Sequence, residues 1–230
     1  MRWSRCALAT FLGLLSAGIA GAGNFSFTGT FVTDDQMEVF LFTAPSVNTV
    51  LRTWGYAGGT NAASQPVPAG GLDPFLSVFD LTGTGGLLTP ASLLVATNDN
   101  GPQCPANAPN CVSADPASGN ADDALLALNA LNPGGIYALV LTQAGNVPNG
   151  NTYGAGFSEA GQGNYTVNNG CFDTIPFCAG FFDQRNGGWA VDVTGVDTAI
   201  DTNVPEPASL TTLAASIGIL ALLRRCRKQA

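Results

Sequence analysis

Apolar and polar positions between residues 23 and 203 alternate in short bursts rather than along helical stripes. In "NFSFTGTF", Phe25, Phe27, Gly29 and Phe31 fall on one side and Ser26, Thr28 and Thr30 on the other, and in "WAVDVTG" the residues Trp189, Val191 and Val193 share a side. Successive side chains of a strand point to opposite faces, so both segments are predicted to be strands with one buried face. Further strands are predicted over residues 37–42, 48–56, 75–81, 93–97, 136–142 and 165–168, each bounded by Gly, Pro, Asn or Asp. Many short strands with frequent turns predict an all-β chain folded as an antiparallel β-sandwich, jelly-roll-like in connection.

Two stretches depart from this pattern. Residues 121–131, "ADDALLALNAL", hold good helix formers behind an Asp pair that suits a helix start, yet Leu126, Leu128 and Ala130 also alternate. Period leaves helix and strand both open there. Residues 102–120 are rich in Pro, Asn, Ala and Ser and have no period, which predicts a long loop. The 29 Gly and 14 Pro of the chain disfavour long helices throughout. About 180 residues between the two ends suffice for one domain, and no internal repeat divides them.

The ends differ from the body. Arg2 and Arg5, an apolar run from Cys6 to Ile19 and the small residues Ala20, Gly21 and Ala22 follow the order of a secretory signal peptide, which predicts a leader over residues 1–22 cut after Ala22, or alternatively after Ala20. Residues 204–230 comprise Val204, Pro205, Glu206 and Pro207, an apolar stretch over residues 208–223, and then Arg224, Arg225, Arg227 and Lys228. A helix of that apolar stretch spans roughly 24 Å at about 1.5 Å per residue, short of the roughly 30 Å hydrocarbon core. It is a marginal inner-membrane anchor, with the basic cluster on the cytoplasmic side and the body outside.

Setting the ends aside leaves Arg52 and Arg185 against fifteen acidic residues in 23–203, a net charge of −13. Nucleic-acid binding is excluded, because neutralising phosphates takes Lys and Arg in number. Metal cations are the natural counter-charge. Cys104, Cys111, Cys171 and Cys178 remain in the body, an even set spaced as two C-x6-C pairs, which suits an oxidising compartment. Three connectivities are open; cheap closure of each short Pro- or Gly-rich loop predicts local pairing, Cys104 with Cys111 and Cys171 with Cys178, worth about 2–3 kcal/mol per loop.

The tail resembles the PEP-CTERM sorting signal of Gram-negative bacteria that make exopolysaccharide: Val204-Pro205-Glu206-Pro207, one apolar span and a terminal Arg-rich cluster. In that family an exosortase, a membrane-embedded cysteine transpeptidase, cuts near the Pro-Glu-Pro motif. The resemblance therefore implies an exported protein that crosses the inner membrane, is held there transiently by a C-terminal hydrophobic sorting helix, and ends at the cell surface or in the extracellular matrix or biofilm, with exopolysaccharide as a partner.

Residues 72–143 resemble the pre-peptidase C-terminal (PPC-type) β-sandwich of secreted bacterial proteins. The resemblance rests on "LDPFLSVFDLTG", "LLVATNDNG" and "DDALLALNALNPGGIYALVLTQ", and it implies that "ADDALL" is a strand. Asn100 stands where that pattern has a second Asp, and residues 102–120 are an insertion. A cation site is expected from Asp73, Asp80, Asn98, Asp99, Asn100, Asp122 and Asp123, since Ca²⁺ takes six to eight oxygen ligands from carboxylates, amide oxygens and carbonyls. "NDNG" is not an EF-hand loop. The competing expectation is solvated loop acids and Asx turns.

No catalytic constellation is expected. The chain has no histidine, the commonest general base. "GFSEAG" around Ser158 carries Ala160 where a nucleophile elbow needs its second Gly. The chain is therefore expected to be non-enzymatic, with a Ca²⁺-dependent module for carbohydrate or protein as the alternative function. Trp54, Tyr56, Tyr153 and Trp189 are either core residues or a sugar-stacking platform.

Overall fold

The computed structural model describes residues 22–45, 48–104, 111–168, 171, 175–179 and 183–203. Its strands in chain order are β1 (Gly23–Thr30), β2 (Met37–Thr43), β3 (Thr49–Thr53), β4 (Gly59–Thr60), β5 (Pro66–Val67), β6 (Pro74–Asp80), β7 (Leu93–Asn98), β8 (Leu125–Leu128), β9 (Ile136–Gln143), β10 (Cys178–Ala179), β11 (Asp183–Gln184), β12 (Gly188–Val196) and β13 (Thr198–Asp201). Among the described residues the ladders between these strands are all antiparallel. One sheet has the order β1-β12-β3-β8 and the other β13-β2-β9-β6-β7, while β4-β5 and β10-β11 are two-stranded ribbons. The leader (1–22) lies outside the described residues except for Ala22, and the sorting segment (204–230) lies wholly outside them. Among the described residues no helix is long and apolar enough to cross a membrane.

The alternation read from the sequence sets how the two main sheets meet. Phe27 of β1 pairs with Val191 of β12 and Gly29 pairs with Trp189. Gly29 takes a phenylalanine's place in the alternation because the Trp189 ring lies over it: a Cβ there would stand 2.3 Å from the indole. From the facing sheet Phe40 sends its ring to within 4.9 Å of Phe27 and 5.7 Å of Trp189. With Leu51, Leu76, Leu139, Leu141, Val191 and Val193 these form one buried cluster shared by both sheets, a sandwich-like arrangement. Each such side chain contributes about 1.5–3 kcal/mol on full burial.

Strand β9 is buried on both faces. Tyr137, Leu139 and Leu141 join the shared core, while Ala138 and Val140 join a second cluster with Phe79, Leu81 and Phe157 on the outer side of the five-stranded sheet. Tyr153 and Phe157, from the segment after β9, pack over that side.

Two expectations are settled by pairing partners. In the segment read as helix or strand, Leu125–Leu128 form β8 against β3, with Leu126 opposite Leu51, so sheet pairing overrides helix propensity. The expected strand at 165–168 is instead a 3-10 turn. Its polar groups are taken by loop anchors rather than a ladder: Tyr165 donates to the Ala144 carbonyl at 2.8 Å, and the Thr166 amide and hydroxyl donate to Asp34 at 2.9 and 2.6 Å. Strand β3 ends at Thr53, short of the expected Tyr56, because Asp123 captures the amides of Tyr56 and Ala57 in a turn. Both cysteine pairs close locally, Cys104 with Cys111 and Cys171 with Cys178. Two disulfides fit an oxidising compartment.

Candidate functional site

Three strand ends bring acidic residues together at one end of the sandwich. Asp73 immediately precedes β6, Asp99 follows β7, and Asp122 and Asp123 precede β8. Strands β6 and β7 are neighbours in one sheet, and Asn98 ties β7 to β8 of the other sheet by accepting the Leu125 amide at 2.8 Å. The consequence is electrostatic. The Asp73 carboxyl is pushed up to about 8, first by burial and then by the charges of Asp99, Asp122 and Asp123, with Arg185 acting in the opposite sense. Its Oδ1 is buried and has no hydrogen-bond partner. Asp99 is also raised, by desolvation and by Asp122.

The seven residues expected to hold a cation divide into different roles. Asp123 is buried and committed to the fold: Oδ1 accepts the Thr53 hydroxyl at 2.9 Å and the Tyr56 amide at 3.2 Å, and Oδ2 accepts the Ala57 amide at 2.9 Å. Burial still pushes its pKa up against those donors. Asn98 is committed at both ends, since its Nδ2 donates to the Asn100 carbonyl at 3.3 Å. Asp80 sits at the opposite end of β6 from Asp73 and accepts the Thr82 amide at 2.7 Å in an Asx turn, apart from the rest. Asp73 keeps Oδ1 without a partner, Asp99 and Asn100 are exposed, and Asp122 is a hydrogen-bond neighbour of the Tyr56 hydroxyl. Among the described residues no three His, Cys, Asp or Glu side chains stand close enough together to hold a metal ion. Compared with known protein families, curated proteins and solved structures, the chain matches none.

The aromatic residues weighed as a sugar platform are not exposed as one. Tyr56 is fully buried and Trp189 nearly so. Tyr153 packs edge-on against Phe79 and Phe157, and the Trp54 ring is covered by the Arg52 guanidinium at 3.6 Å. Ser158 is a loop staple: its hydroxyl donates to the Gly145 carbonyl at 2.5 Å and accepts the Val147 amide at 3.0 Å.

Composition and spacing did not single out Arg185, the hub of the loop region. Its guanidinium lies 3.7 Å over the Tyr56 ring and donates to Asp183 at 2.7 Å, Ser118 at 3.0 Å and Asp115 at 3.1 Å. Tyr56 in turn donates to Asp183 at 2.5 Å. Against its burial, the Ser118 amide first and then the Arg185 guanidinium hold Asp115 below the usual carboxylate range, and the two acids raise Arg185 in return. The one available signal was scarcity, since only Arg52 and Arg185 are basic in this part of the sequence.

Proposed function

We propose that this chain is an exported, exosortase-processed protein of the cell surface or extracellular matrix, non-enzymatic and associated with exopolysaccharide. The observation that carries the reading is the tail, Val204-Pro205-Glu206-Pro207 followed by an apolar span and an Arg-rich end, in a chain that also opens with a leader-like segment. Two disulfides in the body support an oxidising destination. The strand order adds support for a jelly-roll-like sandwich. With the two-residue ribbons left out, the first eight long strands alternate between sheets except at β6-β7, giving orders 1-8-3-6 and 2-7-4-5 with β13 added beside β2. Mass spectrometry of the native extracellular protein tests the reading. The expected species begins at Gly23 or Gly21, lacks the C-terminal apolar span and weighs four hydrogens less than its reduced form. Recovery of only the uncut, reduced chain from cytosol overturns it.

A second reading, a Ca²⁺-dependent binding module, is favoured by one observation: the buried Asp73 Oδ1 without a partner, facing a body of net charge −13. Asp73, Asp99 and Asp122 with Asn100 would hold the ion, drawing their side chains together and supplying the missing counter-charge. Millimolar Ca²⁺ at pH 7.5 is then expected to raise the melting temperature by several degrees, and Asp99→Ala to abolish the rise. No response in either protein removes this reading and leaves the first intact.

A further inference from the structure

The ribbon of β4 and β5 belongs to a loop that folds back over the outer side of the four-stranded sheet. Asp192 of β12 pins that loop: it accepts Trp54 Nε1 at 2.6 Å, the Ala62 amide at 2.8 Å and the Ser26 hydroxyl at 2.5 Å. Beside the ribbon lies a cleft of about 470 Å³ bordered by Thr28, Gln65, Pro66, Val67, Pro68 and Asn186. That volume falls in the ~300–1,000 Å³ range of small-ligand sites. The packing of Gly55, Gly71 and Gly188 keeps part of its wall as bare backbone, for a Cβ on Gly71 would stand 2.3 Å from the Gly188 carbonyl.

Two features set the chemistry of what fits. First, among the described residues no charged side chain lines the cleft, although the body carries fifteen acids. Second, its amides are oriented in advance. Asn61 Nδ2 donates to Gln65 Oε1 at 3.2 Å, and the Gly188 amide donates to Asn186 Oδ1 at 2.8 Å, so both side chains are left with their NH₂ ends uncommitted. The Thr28 hydroxyl is likewise free of partners among the described residues. Three neutral donors beside Pro66, Val67 and Pro68 suit a ligand with many hydroxyl oxygens and an apolar C–H face. Net negative charge disfavours polyanions.

We propose that this cleft binds a short segment of a neutral glycan, through Thr28, Gln65 and Asn186 on its hydroxyls and the Pro66–Pro68 wall on its C–H face. The proposal rests on the exopolysaccharide association above and names the sugar class: neutral rather than uronic. Its test follows the side-chain amide signals of Gln65 and Asn186 in ¹⁵N-labelled exported protein titrated with gluco-, manno-, galacto- and xylo-tetraose, and with tetragalacturonate as the acidic control. At least one neutral tetraose is expected to shift both amides saturably at millimolar concentration or below. Thr28→Val should weaken that binding about three- to tenfold, the loss of one hydrogen bond. Ala69→Trp, at an exposed position on the cleft's border, should weaken it more than tenfold while the spectrum stays dispersed. No shift with any neutral tetraose, equal binding of tetragalacturonate, or unchanged binding in both variants overturns the proposal. Failure here is separable from failure of the sorting reading: a processed protein with a silent cleft sinks only the cleft, and an uncut cytosolic chain that still binds sugar sinks only the sorting.

Discussion

Replacing Arg185 by Met is expected to lower the unfolding free energy by about 3–5 kcal/mol, the cost of breaking a buried ion pair by removing one partner. Asp115 is buried and Asp183 largely so, and the same guanidinium neutralises both while capping the Tyr56 ring. Methionine fills similar volume but leaves two carboxylates without their counter-charge. At about 2–4 °C per kcal/mol for a domain of this size, the melting temperature should fall by roughly 6–20 °C. Arg185→Lys should lie between, since it keeps the charge and loses the planar fork and the stacking. Urea denaturation of the oxidised protein measures the effect, and a loss below about 1 kcal/mol would mean that the pair behaves like an exposed one. The acid side gives a second check. Asp115 is held below its ordinary range, so its contribution is present above the unfolded value near 4 and is lost as pH falls. That acid-side loss should shrink in the Met variant.

Raising the pH should have the opposite origin and a comparable size. In metal-free buffer the folded chain keeps a proton on Asp73 up to about pH 8, whereas the unfolded chain releases it near 3.8. The folded state therefore binds more protons across that window, and stability falls as pH rises from about 4 to about 8 and levels off beyond. At 1.36 kcal/mol per pKa unit the upper bound is roughly 5–6 kcal/mol; relaxation at a site next to solvent brings the expected loss to about 2–4 kcal/mol. Asp73→Asn keeps the shape and removes the charge. It should flatten the profile and be the more stable protein at pH 9, with thermal melts at pH 5, 7 and 9 as the measurement. Parallel profiles for the two proteins would assign the alkaline loss to other groups.

Much of the fold was legible because its strands keep one face buried. Phe25 and Phe27 of β1, with Phe31 just beyond its end, and Trp189, Val191 and Val193 of β12 alternate cleanly, and the structure pairs those two strands directly. Strand β8 was ambiguous for a physical reason: at four residues it is too short for period to decide, and its state is fixed by β3, more than seventy positions away. The short 165–168 segment misled for the converse reason. Its four residues alternate by composition, but Asp34 takes the Thr166 amide and the Asn164 carbonyl takes the Val167 amide, backbone groups that a ladder would use.

The candidate site was legible in part. Of the seven residues grouped from the sequence, Asp73, Asp99, Asp122 and Asp123 stand at neighbouring strand ends and Asp80 stands apart, and the sequence could not tell that the oxygens of Asp123 are spent on the turn after β3. The neutral cleft left no periodic trace, because residues 58–71 act through backbone and isolated amides.

The placement of β12 governs when the molecule can assemble. Among the described residues strand β1 has its ladder only with β12, from which it is separated by about 160 intervening residues, and β12 also supplies the bridge to β3. Strand β1 must therefore wait, unpaired, until β12 has been made. Such distant pairing slows folding, and for a chain exported as proposed above the delay would keep the polypeptide threadable until its far end has arrived.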